Sequence, residues 1–340
     1  MKIKSHFCGI FILLIYLCIS STYGEQNNFT LDQLQTLNTF KKIDESPLFE
    51  MRYSHDYNFD KFLKKGITSD FLNTLRISSN KENKDKFACT CFASLNVEGN
   101  KIFGRNFDWY KHPALILFTN PPDAYKSVSI VDLHYLGYID DNEIPSEEEK
   151  KRLMEVPFWP YDGMNEHGLG VGMMAVSHAE DRYDPKKLTI FSIHLIRLML
   201  DYAKDVEGAL SLLENYNILF RTPLHFFVAD ASGHSAVIEF KKGKRYILRN
   251  HESYQVSTNF VISDVALADR KDACWRYRKA SNMLDKANGK LNEKQAMNVL
   301  KNVSKEDTLW SAVYNLTTRD IFVTMGKNYN KVYKFNIRDK

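Results

Sequence analysis

Cysteine is scarce in this 340-residue chain, with five in all, and two of them, Cys8 and Cys18, lie in the first two dozen residues. The three beyond, Cys89, Cys91 and Cys274, cannot make a disulfide framework, and an odd count leaves at least one thiol uncommitted. Strong charge of either sign is also missing. The formal net charge is +4, and acids and bases alternate along the chain, so nothing argues for nucleic acid as a partner. No His-Glu-x-x-His motif occurs and the ten histidines are scattered, which gives no metal site and no metal cofactor. A papain-like cysteine protease is disfavoured because the Cys-Gly-x-Cys-Trp pattern is absent. Repeats and low-complexity tracts are lacking as well.

Long apolar runs are missing too. The longest, Phe7 to Ile19, is short for a bilayer span; it follows Lys2 and Lys4 and is followed by Ser20 to Gly24. A basic end, a short apolar core and a small-residue exit read as a secretory signal over residues 1–24, so the expected location is secreted or extracytoplasmic, with no stable membrane span. A lysosome-like compartment or a periplasm would fit equally well. Asn28, Asn302 and Asn315 open glycosylation sequons, which count only if the source glycosylates secreted proteins.

Residues 25–88 read as a leader or pro-segment. Leu31, Leu34, Leu37 and Phe40 recur at helical spacing behind Thr30, a good N-cap, and a polar, lysine-rich stretch follows to Lys86. From Phe87 the pattern turns to strands. A hairpin is predicted from Cys89–Val97, a turn over Glu98-Gly99-Asn100 in which glycine supplies positive φ, and a return over Lys101–Trp109. Further strands are expected at 127–135, 169–176, 224–230, 235–240, 246–249, 310–315, 320–324 and 331–336. Helices are expected at 188–203, 206–216, 268–287 and 293–303. Strands, then helices, then strands give an α+β domain over 89–340, with two sheets covered by helices.

The hairpin brings residues 107–110 opposite Cys89, with Asp108 close and Arg105 farther along the same strand. A thiol beside a guanidinium and a carboxylate can have a lowered pKa, or it can be an inert strand cysteine beside an ion pair. Local geometry alone leaves both open.

Cys89-Thr90 with its apolar strand, Glu98-Gly99, and Gly104-Arg105-Asn106-Phe107-Asp108-Trp109 together resemble the opening of the choloylglycine hydrolase superfamily, the cysteine branch of the N-terminal nucleophile (Ntn) hydrolases. Asp162-Gly163-Met164-Asn165-Glu166-His167-Gly168-Leu169-Gly170 resembles the next segment of that family. Pro223-Leu224-His225, Ser257-Thr258-Asn259 and Trp275-Arg276-Tyr277 follow in order. The resemblance implies an αββα four-layer sandwich, cleavage between Ala88 and Cys89, and a freed α-amine on Cys89 that serves as base for its own thiol. No cofactor is implied. Cys89 corresponds to the nucleophile, Arg105 to the residue supporting the thiolate, Asp108 to the one holding the α-amine, Asn259 to an oxyanion donor and Arg276 to a further active-site arginine.

One position departs from the pattern: where bile salt and penicillin acylases carry an oxyanion asparagine, this chain has Ala175, which puts bile-salt specificity in doubt. The expected activity is hydrolysis of the C–N bond of linear, non-peptide amides, the partner being a small N-acyl amide with an apolar acyl group. Acyl transfer to an amine, a bile-salt or penicillin V acylase activity, and a non-enzymatic binding protein on the same fold stand as alternatives; a homo-oligomer is left open. Cys91 is the competing nucleophile. His225 reads as a satisfied core residue, and His167 and His178 as rim residues.

Overall fold

The computed structural model describes residues 29–67, 88–110, 112–137 and 145–339. The expected signal segment, residues 68–87 ahead of Ala88, and the Asn28 sequon residue lie outside them. In chain order the elements are α1 (Leu31–Leu37), β1 (Lys41–Asp44), β2 (Leu48–Tyr53), α2 (Phe59–Lys65), β3 (Ala88–Ser94), β4 (Ile102–Asp108), β5 (Ala114–Thr119), β6 (Ser127–Asp132), α3 (Glu147–Leu153), β7 (Asp162–Asn165), β8 (Gly170–Ala175) and β9 (Leu188–Phe191). There follow α4 (His194–Tyr202), α5 (Val206–Leu213), β10 (Tyr216–Leu219), β11 (Leu224–Ala229), β12 (Ser235–Lys241), β13 (Lys244–Arg249), β14 (Tyr254–Ser257), α6 (Arg270–Ala273), α7 (Trp275–Lys286), α8 (Glu293–Asn302), β15 (Thr308–Asn315), β16 (Asp320–Met325) and β17 (Tyr333–Asn336).

Two sheets form the centre. One has nine strands in the order β1-β2-β5-β6-β7-β8-β11-β12-β13, and the other six in the order β14-β3-β4-β15-β16-β17. Helices α4 and α5 cover the outer face of the first, α7 and α8 that of the second, and β3 packs on β8 across the middle. This is the four-layer αββα sandwich of the Ntn-hydrolase fold. Glycines let the sheets approach: a Cβ on Gly172 would stand 3.0 Å from the Phe103 ring and 3.3 Å from both Arg105 and Cys91.

The β3–β4 hairpin pairs Cys89 with Phe107, Cys91 with Arg105, and Ala88 with Asp108. Alternation sends Cys89, Cys91, Phe103 and Phe107 into the core between the sheets, while Phe92 and Ile102 pack under α7 and α8. Gly104 is required because the Phe92 ring lies across it. The turn differs from expectation. Gly99 does not have positive φ; its missing side chain instead admits Lys290, whose Cγ would lie 3.1 Å from a Cβ there. The ammonium of Lys101 donates to the carbonyls of Asn96, Val97 and Gly99 and ties the turn.

Residues expected to form a leader also contribute to the sandwich. Thr30 caps α1 in a capping box with Gln33. The predicted apolar face is divided: Leu31 is 78% exposed and Leu34 43%, while Leu37 and Phe40 pack against the core. β2 lies parallel to β5 within the nine-stranded sheet, with Leu48, Phe49, Met51 and Tyr53 buried.

Three expected helices are corrected. The stretch 188–203 divides into β9 and α4, and 206–216 ends at Leu213 so that Tyr216 opens β10, parallel to β9. The Thr189-Ile190-Phe191 run suits a strand, and the parallel pairing decides it. The stretch 268–287 breaks at Cys274, which is extended at φ −153° and ψ 127°. Asn315 is fully buried, so its sequon is closed to modification in the folded chain. Among the described residues no helix is long and apolar enough to cross a membrane, and no cluster of three or more His, Cys, Asp or Glu could hold a metal ion.

Candidate active site

Cys89 sits on β3, fully buried between the sheets. Its main-chain N–H donates to Asn259 Oδ1 at 2.8 Å, and its carbonyl accepts from Arg276 Nη1. Arg276, on the first turn of α7, also reaches Thr90 Oγ1 at 3.1 Å and Asn259 Oδ1 at 2.8 Å. Asn259 Nδ2 in turn donates to the carbonyl of Ala175 at 2.8 Å. Asn259 and Arg276 therefore hold both main-chain polar groups of Cys89, and Ala175 enters the site through its backbone.

Arg105 shares the inner face with the thiols. Its Nε donates to Asp162 Oδ2 at 2.8 Å, and its Nη1 to the Met173 carbonyl at 2.5 Å and to Cys91 Sγ at 3.4 Å. Nη2 is buried with no hydrogen-bond partner. Asp162 is held in addition by Trp310 Nε1 at 3.1 Å and by the Tyr314 hydroxyl.

Asp108 lies on the opposite face of the hairpin, so the expected three-way convergence is split by the sheet. A bulge between Thr308 and Trp310 places Thr308 opposite Asp108, and its hydroxyl donates to Asp108 Oδ1 at 2.6 Å. Asp108 Oδ2 stands 3.6 Å from Arg276 Nη1 and accepts no hydrogen bond.

Burial dominates the electrostatics. It pushes the Cys89 thiol up to about 12, with Arg105 pulling the other way, and Cys91 up to about 11. At Cys89 burial thus outweighs the Arg105 guanidinium, and the neutral thiol is the favoured form. Burial likewise raises the Asp108 carboxyl, opposed by Thr308 and Arg276.

A family model, "Linear amide C-N hydrolases, choloylglycine hydrolase family", matches residues 89–264 and so begins at Cys89 itself. This chain belongs to that family. Its members are hydrolases acting on the C–N bonds of linear amides. The matched stretch takes in Cys89, Arg105, Asp108 and Asn259 and stops short of Arg276. No curated protein sequence matches.

Among solved structures, a cysteine-to-alanine variant of conjugated bile acid hydrolase from Clostridium perfringens is similar at a TM-score of 0.54 and 17% identity, over 74% of this chain and 93% of that one. Penicillin V acylase from Agrobacterium tumefaciens is similar at 0.52 and 20% identity, over 73% of this chain and 86% of that one. At such identities the likeness concerns the fold.

In this choloylglycine-family chain the structure gathers Asn259, Arg276 and Arg105 about Cys89, and leaves Asp108 behind the strand beside Ala88. Sequence reasoning assigned no role to Asp162, although it opens a quoted motif. A carboxylate in a stretch bounded by Tyr161 and Met164 was the available signal, because buried acids need partners. Trp310, at the start of an expected strand, gives its indole N–H to the same carboxylate.

Proposed function

We propose that this family member cuts its own chain between Ala88 and Cys89 and then hydrolyses linear N-acyl amides with an apolar acyl group, outside the cytosol. The observation that carries the reading is the grip on Cys89: its N–H on Asn259, its carbonyl on Arg276, and Asp108 paired across the strand with Ala88. These contacts support that choice of bond, because they hold both main-chain polar groups of the residue whose nitrogen would be freed.

In the scission the Cys89 thiol attacks the Ala88 carbonyl carbon, and the acyl group passes from nitrogen to sulfur. Water then cleaves the thioester, leaving a carboxylate on Ala88 and an amine and thiol on Cys89. That amine has a reference pKa of about 7.7–8.0, so near neutrality it can take the thiol proton and later hand it to a leaving amine. Asp108, whose Oδ2 has no hydrogen-bond donor in the uncut chain, is placed to receive the new ammonium. The thiolate, facing Arg105, attacks the substrate carbonyl; the amine leaves with a proton; water releases the acid. Asn259 Nδ2 supports the developing oxyanion, a contribution of roughly two to three orders of magnitude in rate where such donors are removed.

The apolar acyl preference rests on rings beside the nucleophile. Phe107, directly opposite Cys89, meets Tyr161 at 5.2 Å between centroids, and Tyr161 meets Tyr135 at 5.7 Å. Secretion rests on residues 1–24.

The test is intact-mass measurement and N-terminal sequencing of the purified wild type beside Cys89→Ala. Wild type is expected to yield a fragment beginning at Cys89, and the variant to stay uncut and inactive. An active wild type that still joins Ala88 to Cys89 overturns the mechanism.

A further inference from the structure

The loop carrying Asn259 is fastened on both sides by one buried pair. His225, on β11, and Glu239, on β12, are each 1% exposed. His225 Nε2 lies 2.7 Å from the carbonyl oxygen of Thr258, the residue before Asn259, and 3.4 Å from Ser257 Oγ. His225 Nδ1 lies 3.1 Å from Glu239 Oε1. Beyond Asn259, Glu239 accepts from the N–H of Ile262 at 2.6 Å and from that of Ser263 at 2.9 Å. A carbonyl oxygen only accepts, so Nε2 is the donor to Thr258. Burial pushes the Glu239 carboxyl up, but its bonds to His225 and Ser263 outweigh this and hold it below the usual range.

We propose that the His225–Glu239 pair is a positioning device for Asn259, acting on the reaction only through the loop from Ser257 to Ser263. It rests on the reading that Asn259 serves amide hydrolysis. The geometry is direct. Asn259 must place one amide group between Cys89, Arg276 and Ala175, and it sits in the loop between β14 and a short helical turn. The pair anchors that loop, pinning the preceding carbonyl from one end and two following amides from the other. Neither side chain touches Cys89 in the contacts described above, which sets this role apart from catalysis proper.

The experiment measures kcat and KM of matured protein on the p-nitroanilide of a medium-chain fatty acid, with melting temperature as the folding control. His225→Leu is expected to lower kcat by about tenfold or more with KM within about twofold, since small misplacements of a reacting group carry such penalties. His225→Gln keeps a donor for the Thr258 carbonyl and is expected to recover most of the loss. Added to Asn259→Ala, His225→Leu should cost less than about twofold further, because the two act through one group.

A folded His225→Leu with wild-type kcat, equal losses in the leucine and glutamine variants, or a double variant that falls by the product of the singles overturns the proposal. Should the leucine variant fail to fold, Glu239→Gln carries the same comparison with Asn259→Ala. Full activity in Asn259→Ala removes Asn259 from the chemistry and the premise with it, whereas a loss there and none in His225→Leu overturns the positioning role alone.

Discussion

Two fully buried arginine–aspartate pairs sit against the nine-stranded sheet, and they are finished differently. Arg197, on α4, gives its Nε to the Pro157 carbonyl, its Nη1 to Asp201, Ser127 and Thr119, and its Nη2 to Ser129. Asp201 also accepts from the Tyr57 hydroxyl at 2.7 Å. Every nitrogen of that guanidinium has a partner. Arg105 is equally buried, yet Nη2 has none and Nη1 shares itself between a carbonyl and a thiol. A closed network stabilises a unique packing, while an open one leaves bonding capacity unused. Asp108 Oδ2, on the other face of the same hairpin, is likewise without a hydrogen-bond partner.

Lysine substitution of each arginine sharpens this contrast most. Arg197→Lys loses the planar fork that serves five acceptors and should destabilise the fold by about 3 kcal/mol or more, while kcat of the folded fraction stays near wild type. Arg105→Lys should lower kcat/KM by about a hundredfold with a smaller loss of stability. Chemical denaturation and steady-state kinetics on both variants check it. Equal loss of activity in the two would erase the distinction between closed and open networks.

The hairpin was readable in the sequence because its partners are near neighbours, and the chain from Cys89 to Trp109 carries its own register. Its turn was read for the wrong reason, since the need for glycine at 99 comes from Lys290, far along the chain. β5 was passed over because Ala114–Thr119 is apolar on both faces and shows no alternation, as a central strand should. β2 was hidden in a segment whose overall polarity argued for a leader, although Leu48, Phe49 and Met51 are wholly buried. The residues gathered around Cys89 came from motif resemblance; their contacts did not. That Asn259 bonds the Cys89 N–H depends on how β14, α7 and β3 meet, which no local pattern encodes, whereas Asp108 faces away from the thiol through the hairpin register that sets it opposite Ala88.

A second contrast concerns two buried histidines. His225 has acceptors on both nitrogens, whereas His194, at the start of α4, has a partner on neither and is enclosed by Phe59, Phe62, Phe158, Trp159 and Phe191. Burial pushes His194 down to about 3 from 6.5. The folded state therefore keeps it neutral while the unfolded chain takes up a proton below about 6.5. Its stabilising share is present above that pH and is lost as pH falls toward 3, by about 1.4 kcal/mol per unit and about 2 kcal/mol by pH 5. Denaturant titrations at pH 7 and pH 5 should show His194→Phe losing less stability on acidification than wild type by that amount. Parallel curves for the two proteins would mean that His194 is solvated or paired.

The smallest effect returns to the closed network. Tyr57 belongs to the stretch N-terminal to Cys89, and its hydroxyl donates to Asp201 of the Arg197–Asp201 pair. Tyr57→Phe removes one donor from a carboxylate that keeps its arginine, so the expected loss is about 1–2 kcal/mol of stability with kcat unchanged. Since the ring still packs edge-on to Phe158, the change isolates the hydrogen bond from the aromatic contact. If Tyr57→Phe instead lowers kcat without lowering stability, the Arg197 network communicates with the Cys89 region, and completeness of hydrogen bonding no longer separates a supporting arginine from a reacting one.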